Sequence, residues 1–291
     1  MRPQKHSGIA LIQVLLIVAL LSVYALYMSG TAKQQLELAA VAQDRAQVEV
    51  DLHDALSQIT YSALTHSFEK QQTESVSEIA QRWNFYSDPF KTSTGVTVKL
   101  QDLSAKLSLH FLDKTYFIPL LARNGVSYQR ASEIADRLLD WQDIDNIPEP
   151  QGYEAENQVR NGFIPDITEI EHIVDLTEKE KQLIFDNLTT FYVGSLNPLN
   201  ASEELLRVVT DEAAASHLVD VRRQRRINRF DFRDITGVNR YEEFRFAASL
   251  VISIELHKQI GEAAVTKQYV IAFSPYVIGR EAPINKLVEQ N

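Results

Sequence analysis

The sequence predicts an α+β protein in which one long N-terminal helix leads into an antiparallel sheet, and a large all-helical domain is inserted into the sheet domain. Two observations carry this prediction. An uncharged stretch of 21 residues from Gly8 to Met28 continues into an amphipathic helical pattern that runs to about Phe68. Further along, segments rich in Val, Ile, Phe and Tyr stand before and after a block of helical segments, which indicates an inserted domain.

The apolar stretch is long enough to cross a membrane. As a helix it would measure roughly 31 Å at about 1.5 Å per residue, which matches a hydrocarbon core of about 30 Å. Arg2 and Lys5 precede it and favour a cytoplasmic N-terminus. A signal peptide is the competing interpretation, but its apolar region usually has about 7–15 residues, and Tyr27 and Met28 make a poor cleavage context. The sequence therefore predicts a single transmembrane helix over residues 9–29.

An amphipathic stalk helix is predicted over residues 30–68. Its apolar side chains recur at spacings of three, four or seven residues, whereas the other faces are polar. The apolar stripe consists of Leu38, Val41, Val48, Leu52, Ala55, Ile59 and Ala63. A stripe of this length indicates packing on a head domain and, where the head ends, on helices of other chains.

The rest of the chain divides into a sheet domain and its insertion. Alternating apolar residues in 96–109 predict two short strands, and two longer strand segments near the C-terminus meet at a turn close to Gly261. The helical segments between them define an inserted domain over residues 113–235. The sheet domain is accordingly expected to comprise residues 69–112 and 236–291.

Local patterns give two further expectations. Asp166 with Glu169, and Thr177 with Glu180, have the spacing of capping boxes at helix starts. The final residues, 285–291, are expected to be dispensable.

Composition argues against several classes of function. A net charge of −10 disfavours a nucleic-acid binder, which usually needs a basic surface. The absence of cysteine removes disulfides, thiolate zinc sites and cysteine nucleophiles. The H-E-x-x-H, G-x-S-x-G and phosphate-loop motifs do not occur, so no enzyme is predicted. The basic cluster Arg222–Arg229 is expected to form a solvated helix face paired with the acidic segment Asp140–Asp186.

The residues around Gly8 resemble the start of a type IV pilin-like precursor. In that resemblance residues 1–8 form a leader peptide, a prepilin peptidase cuts after Gly8, and Ile9 becomes the mature N-terminus. The family usually has glutamate five residues into the mature chain, where this sequence has Gln13. A buried carboxylate without a partner is costly in a bilayer, so loss of the charge is consistent with a subunit at a filament tip. The alternative is that Gln13 simply faces another helix.

Four motifs along the chain together resemble the K-type minor pseudopilins of the type II secretion system. They are the segment from Asp102 onward, Asp140 to Glu156, Glu169-Ile170, and Asn200-Ala201. Ser104, Ala105, Ser108 and Asn197-Pro198 depart from the pattern of the family.

The resemblance implies a pilin-like sheet head and a role in assembly instead of catalysis. It implies a tip complex with I- and J-type minor pseudopilins on a shaft of the major pseudopilin, initiating the filament that drives secretion across the outer membrane. The subunit would sit in the bacterial inner membrane with its head in the periplasm. A minor pilin that binds DNA or an adhesion ligand is the alternative function, and an ordinary membrane protein without a filament is a third possibility.

The acidic loop over residues 140–156 is a candidate metal site. Five carboxylates fall within 17 residues: Asp140, Asp143, Asp145, Glu154 and Glu156. Hard oxygen ligands on a loop suit calcium. Asp143, Asp145 and Glu154 have the spacing of positions 1, 3 and 12 of an EF-hand, but Pro148 stands where that loop needs glycine. A solvated acidic loop that caps the next helix is the alternative. The resemblance implies calcium, because K-type pseudopilins bind it in their helical domain, and it carries over most directly to Asp143, Asp145 and Glu156.

Overall fold

The computed structural model describes residues 7–68, 77–154, 159–239, 242–277, 279 and 281–290. In chain order the strands are β1 (Phe90–Lys91), β2 (Thr97–Asp102), β3 (Leu107–Ser108), β4 (Leu188–Thr189), β5 (Val251–Ile260), β6 (Ala263–Phe273) and β7 (Ile284–Gln290). The helices are α1 (Ser7–Thr65), α2 (Glu78–Arg82), α3 (Lys114–Arg123), α4 (Tyr128–Asp140), α5 (Ile170–Ile173), α6 (Glu178–Asn187), α7 (Glu203–Val209), α8 (Glu212–Gln224) and α9 (Arg229–Thr236). The predicted α+β class, with one long N-terminal helix, is confirmed.

Five of the described strands form one antiparallel sheet in the order β1-β2-β5-β6-β7. Its central strands alternate buried and partly exposed residues, so that Leu100, Ile254 and Tyr269 lie side by side on the buried face. The turn near Gly261 joins β5 to β6 as predicted, with Gly261 at a positive φ of 53°. A side-chain period of two puts every second residue of these strands against the long helix.

The expectation that the last residues are dispensable is wrong, because residues 285–290 belong to the edge strand β7. This strand pairs with β6 along its length, apart from a register shift between Val270 and Ile271. Its residues are mostly polar and exposed, as in Lys286 and Glu289. An edge strand exposed on both faces lacks the apolar alternation by which strands are recognised in a sequence.

The second half of α1 packs across the sheet and closes the core of the head. Val48, Leu52 and Ile59 are almost completely buried there, against β5 and β6. Burial of each such side chain contributes about 1.5–3 kcal/mol, whereas an exposed or half-exposed ion pair contributes under about 1 kcal/mol. The partly exposed pair of Glu49 with Lys267 therefore adds little to a contact that apolar burial holds together, whereas the pair of Asp51 with Lys258 is largely buried.

The helices between the two halves of the sheet bury a second, separate core. This core begins at Ala105 and includes Phe244, so that residues 105–112, expected in the head, pack with the helical domain instead. A short parallel pair, β3 with β4, ties this start of the domain to the end of α6. The second predicted strand thus lies outside the main sheet.

Capping residues in the sequence predicted most of the helix starts in this domain. Ser127 caps α4, and Thr177 with Glu180 forms the capping box of α6 that the spacing predicts. The box predicted at Asp166 does not form: Asp166 accepts a bond from the Thr168 amide, whereas Glu169 turns to Arg160 and Trp141. The helix α9 was not predicted, because its apolar positions are embedded among arginines.

One buried carboxylate, that of Asp102, joins the two cores. Asp102 ends β2 and is completely buried. Its oxygens accept bonds from the backbone amide and hydroxyl of Ser104, and from those of Ser249 just before β5. The amides of Asn197 and Asn200 in the helical domain donate to Oδ2 at 2.9 and 3.1 Å. The motif residues Asp102 and Asn200 are therefore partners across the domain junction.

We expect Asp102→Asn to lower the free energy of unfolding by about 2–4 kcal/mol, because an amide turned toward buried donors leaves several of them unpaired. Thermal unfolding of the full chain in detergent micelles, followed by tryptophan fluorescence, measures this. Asp211→Ala, which removes the N-cap of α8, is the matched control and should cost only about 1 kcal/mol. Equal losses in the two variants would contradict the role of Asp102 as the junction.

Candidate functional site

The N-terminal half of α1 is a continuous apolar surface. From Ile9 to Met28 every large apolar side chain is at least 49% exposed. The described chain contains one helix long and apolar enough to cross a membrane, and it is this one. Past Met28, α1 continues for several turns before Val48, the first of its side chains that is completely buried in the head.

The structure describes part of the predicted processing region. Residues 1–6 of the predicted leader lie outside the described residues, while Gly8 and Ile9 lie in the first turn of α1. Gln13 is exposed on the apolar surface. Neither Ile9 nor Gln13 is covered by the chain's own head.

The predicted acidic site assembles where α4 ends. Carboxylate oxygens of Asp143, Asp145 and Glu154 lie within 4.8 Å of one another. The chain leaves α4 at Asp140, makes a proline-containing turn and returns at Glu154. The fifth predicted ligand, Glu156, lies outside the described residues. Glu154, the less direct candidate in the sequence, is thus placed beside the two aspartates.

Several oxygens of this loop are buried without a hydrogen-bond partner. They are Oδ2 of Asp140, Oδ1 of Asp143 and both Oε atoms of Glu154. The opposite oxygen of Asp140 is occupied, since it accepts the amide of Glu149 at 2.9 Å. Buried carboxylate oxygens without donors are unusual and costly, and a cation between Asp143, Asp145 and Glu154 would satisfy those of Asp143 and Glu154.

The electrostatics of the loop also favour a cation. Burial, followed by the neighbouring charges of Asp145 and Asp140, raises the pKa of Asp143 above its usual value. Burial and the charges of Asp143 and Asp140 likewise raise the pKa of Glu154. None of the ion pairs within the described ranges reaches these carboxylates. The oxygen set and its unrelieved repulsion therefore fit the hard, oxygen-seeking cation calcium.

Residues around the loop hold it in place. The Lys114 ammonium lies 2.6 Å from Oδ1 of Asp136 and 2.9 Å from Oε2 of Glu149. The backbone amide of Gln151 donates to Oδ2 of Asp136. The ammonium of Lys114 therefore fixes the shape of the loop and does not neutralise the carboxylates of Asp143, Asp145 and Glu154.

Gly152 is a functional position that the sequence analysis missed. A β-carbon built on it would lie 1.8 Å from Oδ2 of Asp140. Only glycine allows the returning loop to approach the buried carboxylate so closely. A glycine within the acidic loop, between Gln151 and Tyr153, was the available signal, but the close approach depends on the fold.

The expected pairing of the basic cluster with the acidic segment is wrong. Arg223 pairs with Asp88 of the head, and Arg225 pairs with Asp231. Arg222 is buried in the protein instead of lying on a solvated face. The pair of Arg223 with Asp88 thus crosses between the two domains, whereas the pair of Arg225 with Asp231 lies within the helical domain.

The chain combines a long helix packed on an antiparallel sheet with a helical insertion. No family model matches the chain. Type II secretion system protein K of Pseudomonas aeruginosa is 24% identical over 247 residues, which cover 75% of this chain and 72% of that protein. A chain in the crystal structure of the GspK-GspI-GspJ complex of enterotoxigenic Escherichia coli, from its type 2 secretion system, matches with a TM-score of 0.55. That match has 17% identity and covers 89% of this chain and 98% of the other.

Both comparisons agree with the motifs read from the sequence. The predicted resemblance to the K-type minor pseudopilins is thereby confirmed. The proteins matched are components of a secretion apparatus.

We expect Gly152→Ala to lower the free energy of unfolding by about 1–3 kcal/mol, because the new methyl group displaces the Asp140 carboxylate or the loop. Thermal unfolding, with and without calcium, measures the change. Gly162→Ala is the control, since a β-carbon there meets only Cγ of Arg160 at 3.9 Å. A variant at 152 as stable as the one at 162 would show that the close approach is not required.

Proposed function

We propose that this chain is a minor pseudopilin at the tip of a type II secretion pseudopilus, where it initiates the filament. The observation that supports it best is the division of α1 into a fully exposed apolar half and a half buried in the head. A helix of this kind needs a membrane before assembly and neighbouring helices within a filament. We propose that the membrane is the bacterial inner membrane and that the head lies in the periplasm.

Exposed apolar residues of α1 support the proposal that partners pack along this helix. Its upper part is covered by the sheet, but Leu36 and Leu38 are 72% and 70% exposed, and Val41 is 39% exposed. These residues lie beyond the membrane segment and short of the head. We infer that helices of the I- and J-type minor pseudopilins cover them, in line with the complex in which the structural match was found. The major pseudopilin would continue the filament below.

We expect Leu38→Glu to reduce copurification of the chain with I- and J-type partners at least tenfold, because a carboxylate replaces an apolar contact. Gln43→Glu places the same charge on another face of the helix and is the control. Affinity purification of the tagged full chain from membranes, with both partners quantified, measures the effect. Undiminished recovery with Leu38→Glu, or no recovery even with the unaltered chain, would contradict the proposal.

We propose that a prepilin peptidase cuts after Gly8 and leaves Ile9 as the mature N-terminus. Gly8→Val should block this cleavage, because a small residue is needed where the peptide bond enters the protease. The mass of the chain purified from cells with active peptidase measures it, and residues 1–8 still attached to the unaltered chain would contradict it. Gln13 then provides no counter-charge for a neighbouring amino group, as suits a subunit with no neighbour above it.

We further propose that the acidic loop binds calcium through Asp143, Asp145 and Glu154, with Asp140 beside them and Glu156 as an additional candidate. Bound calcium would neutralise the carboxylates and fix the end of α4. Without it, ionised Asp143 opposes folding: its raised pKa means that the folded chain holds this proton more tightly than the unfolded chain. Stability of the metal-free chain should therefore fall as the pH rises through that pKa.

Asp143→Asn should change stability with opposite signs in the two conditions. At neutral pH it should raise the melting temperature of the metal-free chain, because it removes one repelling charge. In millimolar calcium it should lower the melting temperature relative to the unaltered chain, with calcium binding weakened by roughly tenfold or more. Asp175→Asn, an exposed carboxylate in the same acidic segment, is the control and should do neither. A melting temperature of the unaltered chain that ignores calcium and chelator would contradict the metal site.

A further inference from the structure

A small pocket lies between the head and the helical domain. Its volume is about 70 Å³. Head residues Phe85 and Tyr86 line one wall, Asn200 and Arg222 of the helical domain line another, and Ala247 lies where the chain returns to the sheet. The pocket is therefore formed only when the two domains are docked.

Arg222 is the unusual residue of this pocket. Only 7% of it is exposed. One nitrogen, Nη1, donates to the carbonyl oxygens of Ala201 and Leu199 at 2.6 and 3.3 Å, and the guanidinium lies over the ring of Tyr86 at 4.4 Å. Its Nε is buried and has no hydrogen-bond partner. The side chain is thus held firmly, with donor capacity left unused.

The charge of Arg222 has no counter-ion among the described residues. The two nearest acidic groups are engaged elsewhere, Asp88 with Arg223 and Glu203 with Arg207. Burial lowers the pKa of Arg222 to about 10, so the guanidinium stays protonated at neutral pH. A buried charge without a partner costs several kcal/mol, and this cost falls when an anion is supplied.

The rest of the pocket adds positive charge. Arg225 and Arg226 also line it, and Arg225 already pairs with Asp231. A pocket with a buried guanidinium, further arginines at its edge and side-chain amides in its walls has the chemistry of an anion site. Its volume admits a few water molecules or one compact anionic group, since a water needs about 10–15 Å³ in the same measure.

We propose that this pocket binds a carboxylate group of a partner protein, with Arg222 as the residue that receives it. A planar carboxylate accepts charge-assisted bonds from a guanidinium, and its small size suits the volume of the pocket better than a bulky ligand would. Binding of a partner's Asp or Glu side chain here would contact both domains at once and so recognise their docked arrangement.

The distance of the pocket from the apolar segment of α1 indicates that a protein supplies the carboxylate instead of a lipid. The pocket is lined by Phe68, which follows the end of α1 at Thr65, 37 residues beyond Met28 at the end of the apolar segment. At about 1.5 Å per residue this is roughly 55 Å from the membrane surface, out of reach of a lipid headgroup. This choice of a protein over a lipid rests on the membrane-anchored arrangement of the proposed function, whereas the anion site itself does not.

The test uses two matched probes on the full chain in detergent micelles. N-acetylglutamic acid amide carries one carboxylate, and N-acetylglutamine amide is its neutral counterpart. At constant ionic strength and with chelator present, the acid should raise the melting temperature and the amide should not. Arg222→Gln should abolish the shift, whereas Arg229→Gln, an exposed arginine of the same cluster that does not line the pocket, should retain it.

A second variant keeps the proposal testable if Arg222→Gln unfolds. Ala247 is exposed at the edge of the pocket, and Ala247→Glu should supply a carboxylate from the chain itself. This variant should melt higher than Ala247→Gln and should no longer respond to the acid probe.

Three results would overturn the carboxylate site: no response to the acid, an equal response to the amide, or an unchanged response in Ala247→Glu. A shift with inorganic phosphate but none with the acid would overturn the choice of a carboxylate. These outcomes are independent of copurification with I- and J-type partners, so failure here and failure of the proposed function are distinguishable.

Discussion

The buried carboxylate of Asp102 is the constraint on which the two-domain arrangement depends. It stands at the point where the chain leaves the sheet, and it bonds the serine that precedes the return strand as well as two asparagines of the insertion. A buried charge tolerates few geometries, because every oxygen lone pair needs a donor. The three segments must therefore meet in one arrangement, and the pocket at Arg222 exists only in that arrangement.

The long helix α1 has two apolar regions that lie in different environments. One helix carries an apolar surface over its first turns and an apolar stripe over its last turns. The side chains of the stripe are buried within the molecule, against β5 and β6, whereas those of the apolar surface remain exposed. The acidic loop brings several carboxylates together, and no cation among the described residues neutralises them.

Sequence patterns predicted the parts of this protein whose signals are local. The long helix, the capping box at Thr177 and the turn at Gly261 follow from spacing within a few residues. The edge strand β7 and the helix α9 were not predicted, because their many polar residues interrupt the apolar periodicity. For the acidic loop, composition indicated the carboxylates, but which of them meet depends on the approach of Gly152 to Asp140. The partners of Asp102 lie 95 and 147 residues away, and no local pattern reveals such contacts.

The continuity of α1 has a mechanical consequence. The turns from Val48 to Ala63 are embedded in the core of the head, and the same uninterrupted helix forms the apolar segment at the other end. A helix resists stretching because each turn is closed by its own hydrogen bonds. Because α1 has no break between the apolar segment and the head, a displacement of that segment along the helix axis also displaces the head.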